Sequence, residues 1–368
     1  MQPWNEYVRR VVIHSSSYLD YSGNYSPGGR QRYIRDLALA VRDNWQREVV
    51  IVQKGGVNFS KTCMEGLPVI GLKSLLGAQG DPQFGYRVSK MISPTDALLY
   101  ASGEDAWPFI CNGAKAIQHG VWWDGPQSWL TRQIQKCRVM SCMAAVKSML
   151  CVDTNFINWL RCQGGKGFRL SQKCVYVPNY ADISRIRPTR RSGPMPLRLI
   201  CARRFEEKRG IVLFIRALGL LKKSAFPFIA HISTVGGCAQ IEAELARNLL
   251  SGEVTVTEDN MEQILERYGS FDVAVVPTIW SEGTSMACVE AICAGLPVIT
   301  TPVGGLGNLV IPEFNGFVVT PSPEAIAGAI RRFSNFDLWQ EMNANCIRMR
   351  SALSIGRWRQ QILEWLDH

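Results

Sequence analysis

Two carboxylates, Glu282 and Glu290, stand with seven residues between them around a turn that reads Ser281-Glu282-Gly283-Thr284-Ser285-Met286. An apolar run, Val273 to Val276, stops at Pro277 ahead of them, and Gly295-Leu296-Pro297 closes the stretch before a second run, Val298 to Thr301. This order predicts strand, turn, helix, glycine stop and strand, one repeat of a parallel α/β sheet. Gly283 permits a sharp turn, and Met286, Val289 and Cys293 recur at helical spacing, so one helix face packs on the sheet. The amides of Thr284, Ser285 and Met286 then point out at the carboxyl edge of the strands, where open α/β sheets bind ligands. Bare amides suit a phosphate, and carboxylates suit hydroxyls. A nucleotide sugar offers both: a diphosphate for the amides, and ribose and hexose hydroxyls for Glu290 and Glu282. The same spacing also suits turn chemistry at Glu282 and a solvated helix residue at Glu290.

A basic turn, Arg203-Arg204-Phe205-Glu206-Glu207-Lys208-Arg209-Gly210, follows another predicted strand, Leu197 to Ala202. Placed at the end of that strand, Arg203 and Lys208 would hold a diphosphate and stabilise the charge it gains on leaving, without a metal. The plainer alternative is a solvated cluster paired to Glu206 and Glu207. Near the start of the chain, Pro27-Gly28-Gly29 joins the strand Val11-Val12-Ile13 to a helix, Arg30 to Arg42. Strand, Gly28-Gly29 pair, helix lets a phosphate approach the backbone, but such a pair also serves as a simple turn, and no G-x-G-x-x-G argues for a dinucleotide. His119 stands at the end of a predicted strand, beside Trp122 and Trp123, a place open both to a functional and to a purely structural histidine. The two tryptophans suit an acceptor sugar, a lipid headgroup layer or core packing.

With 368 residues and 46% hydrophobic content, the chain is long enough for two cores. Its net charge of +10 fits nucleic acid, an anionic membrane surface or anionic small substrates. The basic residues are spread, as in Arg30, Arg32 and Arg35 and again in the turn after Ala202, and no nucleic-acid motif occurs, which favours the last two partners. The 12 cysteines are scattered with no Cys-x-x-Cys pair, and Met1 to Arg10 does not read as a signal peptide. Reduced thiols in a cytoplasmic protein are therefore expected. Four histidines without cysteine partners argue against zinc, and no metal ligands are assigned. No apolar window approaches the roughly 18 to 20 residues that span a bilayer, so any membrane contact is expected to be peripheral.

The remaining segments alternate. Strands are expected over 48–53, 67–72, 97–101, 149–152 and 174–177, helices over 129–145 and 154–161, and a polar turn over 77–82. The helix from Trp129 to Ala145 carries Arg132, Lys136 and Arg138, a basic face suited to anionic lipid or to water. Residues 183–196, rich in arginine and proline, cannot hold a helix and read as a linker. This yields an amino-terminal domain, 1–182, a second Rossmann-like domain that carries the candidate nucleotide-sugar residues, 197–337, and a helical segment, 338–368. Within the second domain, strands at 197–202, 228–233, 254–256 and near 272 alternate with helices at 211–221, 240–250 and 261–268. The turn between Val254 and Met261 is expected to meet the base.

Taken together, the segments resemble a family 4 glycosyltransferase of GT-B architecture: α/β, two facing Rossmann-like doubly wound domains with a cleft between them. Glu282 and Glu290 match the family's Glu-x7-Glu; Arg203, Lys208 and Gly210 match its Arg-x4-Lys-x-Gly-like turn, with Arg209 as an extra residue. Pro277 with Glu282-Gly283, Val303-Gly304-Gly305, Asn315-Gly316, Val177-Pro178-Asn179 and Gly28-Gly29 with Arg32 match further signatures, and His119 falls where the family has a histidine near the transferred sugar. Thr284-Ser285 and Gly307-Asn308 depart from the common pattern. The resemblance implies retaining, metal-independent transfer of a hexose from a nucleotide diphosphate sugar to a glycan or lipid-linked acceptor in polysaccharide or lipopolysaccharide synthesis. It assigns ribose to Glu290, sugar hydroxyls to Glu282 and His119, the diphosphate to Arg203, Lys208 and the amides of Thr284 to Met286, and acceptor binding to the first domain, to which the last helix is expected to cross back. It implies no separate cofactor, a cytoplasmic location, and peripheral contact with the inner face of a membrane as an open partner. A sugar-nucleotide epimerase of the same fold and a non-catalytic nucleotide-sugar-binding protein are the alternatives.

Overall fold

A computed structural model describes the chain except residues 1–7, 21, 25–27, 64, 75–81, 192, 194 and 251. Residues 77–81 of the expected polar turn, together with Pro27, Pro194 and Met1 to Tyr7, lie outside the described residues. Two compact units divide the chain, the first comprising residues 1–119, 126–177 and 359–368, the second residues 120–125 and 178–358.

The first unit holds strands β1 (Arg10–Ser15), β2 (Glu48–Gly55), β3 (Phe59–Thr62), β4 (Pro68–Lys73), β5 (Asp96–Tyr100), β6 (Lys115–Gln118), β7 (Ser148–Cys151) and β8 (Cys174–Tyr176). They form one sheet in the order β3-β4-β2-β1-β5-β6-β7-β8, parallel throughout except for β3 against β4. The crossovers that parallel pairing demands carry α1 (Gly29–Trp45), α2 (Pro82–Met91), α3 (Trp129–Ala145), α4 (Thr154–Arg161) and α5 (Gly164–Ser171). Strands covered on both faces read as unbroken apolar runs. Val11 to Ile13 and Val49 to Val52 are such runs and are buried throughout. Helix starts follow side-chain caps: the Ser128 hydroxyl accepts from the Thr131 amide at 3.1 Å, and the Asp153 carboxylate from the Phe156 amide at 2.9 Å.

The last helix, α12 (Ile355–Asp367), contributes residues 359–368 to the first unit. Its terminal carbonyls, left without helical donors, are met by Lys115 on β6, whose buried ammonium donates to Trp365 O at 2.5 Å and Leu366 O at 2.8 Å. Burial, with Lys147 nearby, pushes Lys115 down to about 7. An unfolded lysine keeps its proton to about pH 10.4. Between those values the unfolded chain binds more protons at this site, so the site's contribution to stability rises with pH. Urea midpoints of the wild type and Lys115→Met, compared at pH 7 and 9.5, should therefore diverge in favour of the wild type at the higher pH. Buried thiols act alike in both proteins and cancel in the comparison.

The second unit holds β9 (Leu197–Ala202), β10 (Phe228–Ser233), β11 (Val254–Thr257), β12 (Val273–Val276), β13 (Val298–Thr300) and β14 (Gly316–Val318), all parallel in the order β11-β10-β9-β12-β13-β14. Between and after them run α6 (Ile211–Lys223), α7 (Cys238–Arg247), α8 (Met261–Arg267), α9 (Met286–Cys293), α10 (Pro323–Arg332) and α11 (Phe336–Met349). The period of two along β9 splits its side chains between two cores. Leu197, Leu199 and Cys201 pack with Phe214, Leu218 and Ile330, whereas Ile200 packs with Val289, Ile292 and Cys346. The described residues of the 183–196 stretch run along this unit: Ile186 is buried, the Thr189 amide donates to Ala294 O at 2.8 Å, and Arg191 donates to Phe333 O at 3.0 Å. From β9 the chain winds outward to β11 and then returns to β12 on the other side of β9, so strand order reverses between β9 and β12. Such reversals open a crevice at the carboxyl ends of the strands.

Candidate active site

That crevice is where Arg203 leaves β9 and Pro277 leaves β12. The loop after Pro277 turns through Ser281 at φ 61, in the left-handed region. Glu282 follows and is gripped by its backbone. Gly305 N–H donates to Glu282 O at 3.2 Å, and Gly304, at φ +52, lies so close that a Cβ there would sit 1.8 Å from the same oxygen. Thr284 is held from another direction: Asn179 N–H donates to Thr284 Oγ1 at 2.9 Å, and the Asn179 side-chain amide donates to Thr284 O. A backbone anchored at both ends fixes where the carboxylate between them can go.

Around that carboxylate the side chains converge. Arg203 donates through Nη1 to Ser285 Oγ at 2.7 Å, and through Nη2 to Thr278 Oγ1 at 3.0 Å and to Glu282 Oε2. Arg209 Nη1 donates to that same carboxylate oxygen, as does the Thr278 hydroxyl at 3.2 Å. The Arg203 and Glu282 side chains are 7% and 10% exposed, a depth at which an unpaired charge is costly. Burial works to raise the Glu282 carboxyl, but Arg203 and Arg209 outweigh it and hold it below the usual glutamate range. Ser285 is the N-cap of α9 yet does not cap the helix; its hydroxyl accepts from Arg203 instead. Met286 opens α9, and Glu290, buried, lies one turn further in.

Lys208 stands apart from this group. Glu207–Arg209 is a 3-10 turn, which advances about 120° per residue, so adjacent side chains leave it in different directions. The Lys208 ammonium sits 3.3 Å from Glu206, while Arg209, in contact with Glu206 at 3.4 Å, reaches on to Glu282. Gly210, at φ +72, presses the turn on the end of β12, where a Cβ would meet Pro277 O at 1.9 Å. Of the residues singled out by spacing, Arg203, Glu282 and Ser285 are brought together, with Gly283 and Thr284 in the same loop and Met286 opening the helix that follows; Lys208 is not. Arg209, Thr278 and Asn179 are participants that spacing did not single out. The one mark that the sequence sets on Arg209 is its place as the extra residue before Gly210, which says nothing of its direction. The turn expected to meet the base holds a polar network, in which Asp259 accepts from Thr257 at 2.7 Å and pairs with Arg267 at 2.9 Å.

In the first unit, His119 follows β6 and is half-buried, its Nε2 2.9 Å from Ala101 O and its ring edge-on to Tyr33. Burial, reinforced by Arg30, pushes its pKa down to about 3, so the imidazole is neutral at physiological pH. With Nε2–H donating to the carbonyl, Nδ1 is left as an acceptor. Gly28 is the extended N-cap of α1 and Gly29 its first residue; neither takes a left-handed conformation. Arg30, next in line, donates to Ser16 at 3.2 Å and lies 3.7 Å from Asp105.

Among the described residues, no group of three or more His, Cys, Asp or Glu side chains could hold a metal ion, and no helix is long and apolar enough to cross a membrane. All 12 cysteines are free. Residues 182–349, which contain the whole of the second unit's site except Asn179, match the family model of glycosyl transferases group 1. The chain carries a glycosyl transferases group 1 domain. The chain resembles the amylovoran biosynthesis glycosyltransferase AmsK of Erwinia amylovora, 26% identical over 150 residues, 38% of this chain and 36% of that one. The chain spans between 19% and 37% of the length of the first curated relatives it matches. The likeness in fold is broader. Sucrose-phosphate synthase of Thermosynechococcus elongatus superposes with a TM-score of 0.79 at 17% identity, over 97% of this chain and 98% of that one. Anabaena HepE in complex with UDP-glucose superposes with a TM-score of 0.74 at 16% identity, over 97% and 99%. The group 1 domain thus sits in a chain with the two-domain, parallel-sheet GT-B fold.

Proposed function

We propose that this chain is a retaining, metal-independent glycosyltransferase of family 4 that moves a hexose from a nucleoside diphosphate sugar to a hydroxyl of a glycan or lipid-linked acceptor. The observation that carries the reading is the meeting of Arg203, Arg209 and Glu282 beside the uncapped first turn of α9. A diphosphate arriving there finds two guanidiniums and the helix amides from Ser285 onward, which supply the positive charge that a departing phosphate needs. Glu282, ionised at working pH, accepts from sugar hydroxyls once the arginines turn to phosphate, and Glu290 is assigned to the ribose. The acceptor belongs to the first unit, with Gly28 and Gly29 at the loop before α1. There the neutral His119 offers Nδ1 to a sugar hydroxyl and orients without transferring a proton. Lys208 then serves the turn through Glu206 and contributes long-range charge.

Retention follows if the anomeric carbon–phosphate oxygen bond breaks and the bond to the acceptor oxygen forms on the same face, the acceptor's proton passing to the departing phosphate. A covalent sugar adduct trapped on Glu282 would overturn that route. The relationship to AmsK supports a role in cell-surface polysaccharide or lipopolysaccharide synthesis, and the basic composition supports peripheral work at the inner face of the cell membrane. A thermal-shift panel tests the donor reading. A ligand present at 100 times its Kd adds about 2.7 kcal/mol of stability, so one nucleoside diphosphate and its sugar should raise Tm by several degrees and the monophosphate by much less. A panel in which no nucleoside diphosphate or its sugar moves Tm sinks the proposal.

A further inference from the structure

The first unit carries a face whose apolar residues point away from its core. Residues 126–177 contain eight lysines and arginines and a single acid, Asp153, which is buried as the cap of α4. Within this stretch α3 is amphipathic in an unusual sense. Its inner side buries Gln135, Val139, Cys142 and Met143. Its outer stripe, at i, i+4 and i+7, is Leu130, Ile134 and Cys137, all exposed, with Trp129 beside it. Trp129 is 73% exposed, Leu130 61% and Ile134 46%.

The apolar surface extends beyond the helix. The Arg138 guanidinium lies 5.3 Å over the ring of Trp107, itself 42% exposed, and two residues on Phe109 meets Tyr86 of α2 at 5.4 Å between ring centroids. Lys90 sits 5.4 Å over that tyrosine. Aromatic rings and a leucine–isoleucine stripe interleaved with lysines and arginines, with no exposed acid on α3, α4 or α5, are chemically complementary to a layer that is anionic outside and hydrocarbon within. A nucleic acid would use the cations but leave Leu130 and Ile134 in water. Tryptophan at such a boundary places its ring at headgroup depth.

We infer that this face, α3 with the adjoining Trp107–Phe109 loop, docks the first unit on an anionic lipid bilayer. The inference deepens the membrane-peripheral part of the function proposed above and rests on it for its purpose, while the chemistry of the face stands by itself. Trp129, Leu130 and Ile134 enter the headgroup–acyl boundary, and Arg132, Lys136 and Arg138 neutralise lipid phosphates around them.

The test is sedimentation of the full chain with vesicles of phosphatidylcholine alone or with three parts in ten phosphatidylglycerol. Binding is expected to the mixed vesicles, to weaken with salt, and to fall about fivefold for each cation lost, thus about 25-fold for Arg132→Glu with Lys136→Glu even before charge reversal is counted. Trp129→Ser with Leu130→Gln should release the protein from vesicles at any salt concentration. Unchanged thermal melting shows that each variant is folded. Equal binding to neutral and anionic vesicles, wild-type binding by either double variant, or no vesicle binding at all overturns the inference, the last outcome pointing to a protein partner. Donor-induced thermal shifts on the same samples report the nucleotide site separately, so failure of the docking face and failure of the transferase reading are told apart.

Discussion

Arg209→Ala should cut both the affinity for the nucleoside diphosphate and the turnover of its sugar by about ten- to a hundredfold, whereas Lys208→Ala should change each by no more than a few-fold. The difference follows from where the two adjacent cations point. Arg209 donates to the Glu282 carboxylate, and a hydrogen bond to a charged group is worth about 1.5 to 3 kcal/mol when lost. Lys208 pairs with Glu206 with a third of its side chain exposed, a setting in which ion pairs contribute about 1 kcal/mol or less. Arg209→Lys keeps the charge but not the planar fork, so it should recover only part of the loss. Isothermal titration with the diphosphate and steady-state rates with the sugar nucleotide separate the two effects. If Lys208→Ala proves the more damaging, the assignment of Arg209 is wrong and the spacing-based choice stands.

Gly304→Ala should strongly damage the second unit's site. At φ +52 an L-residue is strained by about 1 to 2 kcal/mol, and the added carbon would also collide with Glu282 O. Relief requires the Glu282 loop to move, and a displacement of about 1 Å in a reacting group costs on the order of a hundredfold in rate. Gly307→Ala, in the same 3-10 turn, is the matched control, since its Cβ would meet nothing within 4 Å. Thermal melting and turnover of the two variants give the comparison. Equal effects at 304 and 307 would show that backbone contact with Glu282 does not govern the site.

Much of this architecture is legible in the sequence. Helices over 129–145 and 154–161 and strands over 197–202 and 228–233 have the expected bounds, because their periodicity and their serine and aspartate caps are local signals. The short strand β3 was not anticipated: Phe59-Ser-Lys-Thr is a mostly polar, exposed edge with no alternation to betray it. Helix α5 was hidden by Gly164, Gly165 and Gly167, which lower helical propensity within its first turn. The Glu282 and Arg203 positions were legible because strand ends converge at a reversal of strand order. Arg209 was not, since spacing rules count residues, whereas a 3-10 turn decides direction by angle. Asn179 lies 105 residues from Thr284 in sequence, and no local pattern connects them.

The grip on Glu282 has an evolutionary corollary. Gly305 and its neighbour hold that residue through a peptide carbonyl, without using any side chain of the segment from Ile279 to Ser281. The chemistry of those three side chains therefore does not fix the acid, although the left-handed turn at Ser281, the Ile279 amide bond to Lys208 O and the packing of Trp280 against Gly125 still limit what the stretch accepts. Within those limits the side chains of the stretch can vary over evolutionary time without displacing Glu282.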